Sequence, residues 1–134
     1  MLSFMLDTNI VIYTMKNKPA ELRQAFKKHS GRMCISTITY MELVYGVERS
    51  ADVARNFRTL ESFIARMDML DLDASAAVHA GQIRAELAQL GQPIGPYDQL
   101  IAGHARSRGL ILITNNQSEF SRVPGLRIEN WLNP

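Results

Sequence analysis

Short apolar runs, each followed by polar residues and separated by helical patterns, constrain the fold more than any other feature. Residues 110–113 are apolar throughout, as strands buried on both faces of a parallel sheet tend to be. Shorter runs cover residues 4–6 and 33–35, a mainly apolar run covers 69–72, and the alternating segment 126–131 suggests an edge strand. Strands that alternate with helices predict an α/β fold with a doubly wound, parallel central sheet of about five short strands flanked by helices.

Helical patterns fill the intervals between these runs. Pro19 suits a first helical turn and Gly31 the end of the same helix, while Asp73 is a good N-cap for a helix that ends at Gly91. Apolar residues recur at helical spacing on most of these segments. The predicted helices cover residues 19–30, 38–46, 53–67, 73–91 and 96–109, after a first one that begins at residues 7–9.

Length and composition set the broad class. At 134 residues, we expect a single domain over residues 1–134, long enough to bury its own core. Cys34 is the only cysteine, so an intrachain disulfide and a thiolate metal cluster are excluded. No apolar run approaches the ~18 residues of a membrane span, and we therefore expect a cytoplasmic protein with no membrane partner.

Positive charge is concentrated near the first helices, although the net charge is only +2. Such a cluster fits phosphate contacts with RNA, and it equally fits a solvated helix face. It is opposed only by Glu21. Its members are Lys16, Lys18, Arg23, Lys27, Lys28 and Arg32.

Four acids lie at the ends of strands or on unexpected helical positions. Asp7 follows the first strand, Asp98 lies in a first helical turn, and Glu119 follows the last core strand. Each also has a structural explanation: Asp7 can cap a helix, Asp98 suits a helix N-terminus, and Asn116 with Glu119 has the form of a capping box. Glu42 needs a separate argument.

Glu42 shares a helical face with Ile38, Met41 and Tyr45, and this face is predicted to point to the core. A carboxylate there costs several kcal/mol unless it is paired or bound to a cation. Arg49, two turns later, is one candidate partner, and a metal ion is the other.

Taken together, the four acids predict a site for a hard cation, since Mg²⁺ prefers a few carboxylates and leaves positions for phosphate oxygens. The chemistry implied is metal-assisted phosphodiester hydrolysis. No serine–histidine or cysteine–histidine arrangement competes with it. Polar side chains that could position water or phosphate beside the acids are Thr8, Asn9, Ser36, Thr114 and Asn116.

Four segments that contain or adjoin these residues occur in order along the chain, at residues 5–9, 38–43, 94–98 and 112–116. They resemble the motifs of the PIN-domain ribonucleases, and most of all the VapC toxins of bacterial toxin–antitoxin modules, the run 94–110 being similar to the enteric group. The resemblance implies a PIN-like fold and a Mg²⁺- or Mn²⁺-dependent endoribonuclease toxin. For the enteric type it implies cleavage of initiator tRNA in the anticodon stem-loop, which inhibits translation.

The resemblance also implies site residues. Asp7, Glu42 and Asp98 match the family's acidic positions, which serve as catalytic residues and metal ligands. The chain departs from the pattern at Asn116, where many members carry an acid. Either the site works with three carboxylates, or Glu119 supplies the missing charge while Asn116 orients water.

The partners implied by the resemblance are a cognate VapB-type antitoxin, whose C-terminal segment inserts into the acidic crevice, and operator DNA bound through that antitoxin. It further implies a homodimer and a higher toxin–antitoxin assembly. A competing hypothesis keeps the fold but not the chemistry: a catalytically weak PIN domain that acts mainly as an antitoxin-binding and operator-regulating module.

Other classes with an acid after the first strand fit less well. Haloacid-dehalogenase-type phosphatases need a second Asp where this chain has Asn9, and receiver domains need a late lysine, whereas none follows Lys28. A dinucleotide-binding domain would need a glycine-rich first turn, which is missing after residue 6.

Overall fold

The computed structural model describes residues 1–132, and the last two residues of the expected domain lie outside the described part. Strands and helices alternate as predicted. The elements are β1 Phe4–Leu6, α1 Thr8–Asn17, α2 Ala20–Lys28, β2 Met33–Ser36, α3 Thr37–Glu48, α4 Val53–Ile64, β3 Asp68–Leu70, α5 Ala74–Gln89, α6 Pro96–Ser107, β4 Ile111–Ile113, α7 Gln117–Phe120 and β5 Ile128–Glu129.

The five strands form one sheet in the order β3-β2-β1-β4-β5, and all four neighbouring pairs are parallel. The chain winds outward from β1 through β2 to β3, and then from β4 to β5 on the other side. The doubly wound α/β sheet is therefore confirmed. In such sheets, ligands bind beyond the carboxyl ends of the strands where the winding direction changes, which is here between β1 and β4.

Both faces of the sheet are buried. Successive residues of a strand point to opposite faces, so Phe4 and Leu6 join one core cluster and Met5 joins the other, together with Cys34 and Leu112. Burial raises the pKa of the Cys34 thiol to about 12, as expected for an inert, buried cysteine. These central strands fix the positions at which the polar loops begin.

Helices α5 and α6 pack closely on one face. A side chain at Gly103 would place its Cβ 2.6 Å from the backbone nitrogen of Ala80, so only glycine fits there. Residues Ala76, Ile83 and Leu87 of α5 are also buried within the described chain. Because the α5 stripe belongs to the monomer core, it gives the homodimer no separate support, and the homodimer remains a prediction.

The predicted core face of α3 is wrong. Met41 and Tyr45 are 40% and 58% exposed, whereas the buried residues of this helix are Thr39, Leu43 and Val47. The helix turns its β-branched and leucine side chains inward and leaves the larger Met and Tyr at the surface. Glu42 is therefore half-buried beside an exposed face of α3 and does not lie on a core-facing stripe.

Smaller differences occur at element ends. Pro19 is the N-cap of α2 and not a residue of its first turn, and that helix ends at Lys28. The edge strand β5 is confirmed but contains only two residues. Within residues 1–132, no helix combines the length and the apolar character needed to cross a membrane.

Candidate active site

The carboxyl end of β1 delivers Asp7 to the centre of the site. Asp7 is the N-cap of α1, and its Oδ1 accepts a hydrogen bond of 2.8 Å from the backbone N–H of Ile10. Its Oδ2 accepts a hydrogen bond from the hydroxyl of Thr114, which follows β4. The helix-cap and functional-site interpretations are therefore compatible, since one oxygen caps the helix and the other meets the neighbouring strand end.

Burial makes Asp7 unusually hard to ionise. The residue is only 2% exposed, and this desolvation raises its pKa from 3.8 to about 6. The hydrogen bonds from Thr114 and Ile10 oppose the rise, while the charges of Glu42 and Glu119 add to it. A bound cation would therefore favour the ionised form of this carboxyl group.

Glu42 is half-buried on α3 and is held from the first turn of α1. Its Oε1 accepts a hydrogen bond of 2.7 Å from the hydroxyl of Thr8. The alternative partner, Arg49, instead donates to the hydroxyl of Tyr45 at 2.9 Å and lies over that ring. A neutral hydroxyl therefore holds Glu42, and Arg49 does not pair with it.

Asp98 and Glu119 share a hydrogen bond across the opposite side of the site. The pKa of Asp98 is raised to about 7, mainly by burial and then by the hydrogen bond and charge of Glu119 and by the charges of Glu42 and Asp7. For Glu119, burial also favours the neutral form, but hydrogen bonds from Gly95 and then from Asn116 and Asp98 outweigh it, so the pKa of Glu119 is lowered. Of these two acids, Asp98 is therefore the harder to ionise and Glu119 the easier.

The contacts of Glu119 decide between its two sequence interpretations. Its Oε1 accepts from the backbone N–H of Gly95 at 3.0 Å, and its Oε2 accepts from Nδ2 of Asn116 at 2.8 Å. The side chain of Asn116 does not cap α7, and its backbone N–H donates to the hydroxyl of Thr114 at 2.9 Å. The capping-box interpretation is thus wrong, and Glu119 lies beside Asp98 in the acidic site.

The remaining predicted polar residues divide into two groups. Thr8 and Thr114 contact the acids directly, as described above. Asn9 is exposed, and within residues 1–132 it makes no hydrogen bond to the four acids. Ser36 is buried and structural, because its hydroxyl caps α3 at the N–H of Ile38 and lies 2.9 Å from Nδ1 of His104.

Sequence reasoning missed Thr39, which contacts the site through Thr8. It is fully buried, and its hydroxyl oxygen lies 3.3 Å from that of Thr8. A threonine one turn before Glu42 was the available signal, and it was obscured because the wrong face of the helix was assigned to the core.

A groove of about 380 Å³ begins beside Glu42 and runs between α1, α3 and α4. Most of its lining is apolar, including Ile12, Met15 and Leu43, and Lys16 contributes a positive charge. The crevice thus continues into a surface that suits an apolar segment.

The PIN domain family matches residues 4–126 of the chain. The tRNA(fMet)-specific endonuclease VapC of Shigella flexneri is 62% identical over 98% of this chain and 99% of its own length. The protein of the same name from Salmonella typhimurium is 60% identical over the same shares.

Solved structures give the same result. The chain superimposes on DNA-bound VapBC from Salmonella typhimurium with a TM-score of 0.96 and 60% identity, over 98% of this chain and 99% of the other. VapBC2 from Rickettsia felis, bound to a DNA fragment from its promoter, gives a TM-score of 0.94 at 36% identity, over 97% and 99% of the two chains. This protein belongs to the PIN-domain family and, within it, to the VapC ribonucleases.

Proposed function

We propose that this protein is the toxin of a toxin–antitoxin pair and an endoribonuclease that cuts initiator tRNA in its anticodon stem-loop. The observation that carries the proposal is the gathering of Asp7, Glu42, Asp98 and Glu119 around one crevice at the carboxyl edge of the sheet. The substrate is inferred from the relatives named tRNA(fMet)-specific endonuclease. The activity would take place in the cytoplasm and inhibit translation.

The donor set supports Mg²⁺ as the cofactor, with Mn²⁺ as a substitute. Within residues 1–132, no three His, Cys, Asp or Glu side chains are placed so that they could all bind one metal ion directly. Mg²⁺ does not require three such ligands, because it keeps several waters and binds through one or two carboxylates plus substrate phosphates. The oxygen-only ligands fit a hard cation, and Asp7, Glu42 and Asp98 would hold it, one or two of them directly and the rest through its waters. When bound, such an ion acidifies water and offsets phosphoryl charge.

The protein's own groups prepare the site for this chemistry. The start of α1 and Thr114 fix the two oxygens of Asp7, and Thr8 fixes one oxygen of Glu42. Burial opposes the ionised form of Glu119, but its hydrogen bonds from Gly95 and Asn116 lower its pKa, so Glu119 is the acid that ionises more readily, whereas a bound cation would displace the proton from Asp98. Glu119 therefore offers negative charge and a hydrogen-bond acceptor for a water beside the scissile phosphate.

The partner that we propose is a VapB-type antitoxin. Its C-terminal segment would offer an Arg or Lys to the acids and place apolar side chains in the groove beside Glu42. The related VapBC complexes from Salmonella and Rickettsia are DNA-bound, which supports operator binding through the antitoxin. A toxin homodimer within a larger assembly completes this proposal.

Isosteric amides test the acid assignment. Asp7→Asn and Asp98→Asn should fold normally, bind Mg²⁺ more weakly and lose RNA cleavage. Freshly purified, antitoxin-free protein is required, and an inactive variant prepared in parallel controls for contaminating nucleases. Full activity and unchanged metal affinity in either variant would refute the assignment.

A further inference from the structure

A chain of hydroxyl groups extends from Glu42 into the interior of the protein. Oε1 of Glu42 lies 2.7 Å from Oγ1 of Thr8, which lies 3.3 Å from Oγ1 of Thr39. Thr8 is 7% exposed and Thr39 is fully buried. The first turn of α1 thus connects the crevice to a buried position of α3.

The direction of these hydrogen bonds follows from the hydrogens available. Each threonine hydroxyl has one hydrogen to donate, and an ionised glutamate has none. The shorter contact has a charged acceptor, so it takes the hydrogen of Thr8. The contact between the two hydroxyls then needs the hydrogen of Thr39. Thr39 therefore donates to Thr8, and Thr8 donates to Glu42.

We propose that Thr39 is a positioning residue for Glu42. Its hydrogen bond fixes the rotation of the Thr8 hydroxyl, which holds one oxygen of Glu42 and leaves the other available to a ligand in the crevice. Donors in series also polarise one another and strengthen the final bond to the carboxylate. This inference rests on the proposed function, in which Glu42 helps to hold the metal ion.

A purely structural role for Thr39 predicts the opposite effects for two substitutions, Thr39→Val and Thr39→Ser. Thr39 lies on the buried face of α3 with Leu43 and Val47, where an apolar side chain of the same shape would pack equally well. Thr39→Val would then be harmless, whereas Thr39→Ser would lose a buried methyl group. In the positioning role, the serine variant keeps the function and the valine variant loses it.

The experiment compares Thr39→Val with Thr39→Ser. Binding of Mg²⁺ to the RNA-free protein is measured by calorimetry, cleavage by single-turnover kinetics at saturating RNA, and stability by urea unfolding. We expect Thr39→Val to keep its unfolding midpoint while Mg²⁺ affinity and the cleavage rate each fall about 10-fold, as is typical for groups that orient ligands. Thr39→Ser should be less stable but bind and cut as the wild type does.

Thr14→Val is a matched control. Thr14 is also buried, and its hydroxyl donates to the backbone carbonyl of Ile10 at 2.6 Å, so its loss should not affect Mg²⁺ affinity. If Thr39→Val did not fold, Thr39→Ala would replace it, because alanine also lacks the hydroxyl.

Wild-type Mg²⁺ affinity and cleavage in Thr39→Val, or equal losses in Thr39→Ser, would overturn the inference. The Asp98→Asn variant separates this failure from that of the proposed function. If Asp98→Asn is inactive while Thr39→Val is normal, only the positioning role fails. If Asp98→Asn cuts RNA at the wild-type rate, the proposed function fails together with the positioning role.

Discussion

Asp7 is expected to destabilise the metal-free fold at neutral pH. Its pKa is raised from 3.8 to about 6, so the folded state binds more protons than the unfolded state between these values. Stability contributed by this group is therefore fully present below pH 3.8 and is lost as the pH rises through about 6. A shift of this size corresponds to about 3 kcal/mol.

Asp7→Asn removes that charge at a moderate structural cost. The amide oxygen can still accept from the N–H of Ile10, but the amide nitrogen replaces the acceptor that Thr114 now uses. The hydroxyl hydrogen of Thr114 then loses its partner, which costs about 1 kcal/mol. We expect a net gain of about 1–2 kcal/mol in the metal-free variant above pH 7, and no gain near pH 4.

Urea unfolding in EDTA at pH 4.5, 6 and 8 measures this difference. Added Mg²⁺ should stabilise the wild type more at pH 8 than at pH 5, and Asp7→Asn should reduce this difference. A variant less stable than the wild type at pH 8 in EDTA, or one with the same pH dependence, would refute the argument.

Three further perturbations test other parts of the structure. Gly103→Ala should cost about 1–3 kcal/mol because its Cβ collides with the α5 backbone, whereas Gly81→Ala, which has open space, should stabilise by roughly 0.5–1 kcal/mol; urea midpoints in the opposite order would contradict this. Glu119→Gln should fold normally and cut RNA at least ~10-fold more slowly, and unaltered single-turnover cleavage would exclude it from the site. Reversing Lys27 and Lys28 to Glu should weaken RNA binding and flatten its salt dependence, and an unchanged salt slope would identify α2 as a solvated face.

Strand positions were predictable because their signal is local. The apolar side chains of a run such as residues 110–113 can be buried on both faces only if helices cover both sides of the sheet. Asp7 marks a strand end and also caps the helix that follows. The order of strands depends on packing among distant segments. The alternation of elements therefore predicted a doubly wound sheet without showing that β1 lies at its centre.

The site was predicted less securely than the fold. Helical spacing predicts that Glu42 lies on the core face of α3, yet Met41 and Tyr45 on that face are exposed. Helical spacing alone cannot say which of two apolar arcs packs inward, since that depends on the neighbouring helix. Family resemblance points to Glu42 independently of helix packing, and its role as a metal ligand stays a prediction.

Glu119 shows the same limit of local patterns. Asn116 and Glu119 have the spacing of a capping box, but their side chains bond to each other. The donor that draws Glu119 to the site is the backbone N–H of Gly95, which is 24 residues away in sequence. Asp98 lies in the helix that Gly95 caps, so one turn brings both acids together.

Metal-dependent cleavage of initiator tRNA is best tested by a single-turnover assay. Antitoxin-free protein is mixed with initiator tRNA or elongator methionine tRNA, in Mg²⁺ or in EDTA, beside an identically purified Asp98→Asn variant. We expect one cut in the anticodon stem-loop of the initiator tRNA, only with Mg²⁺ and only by the wild type. Equal cutting in EDTA, or equal cutting by Asp98→Asn, would contradict this expectation.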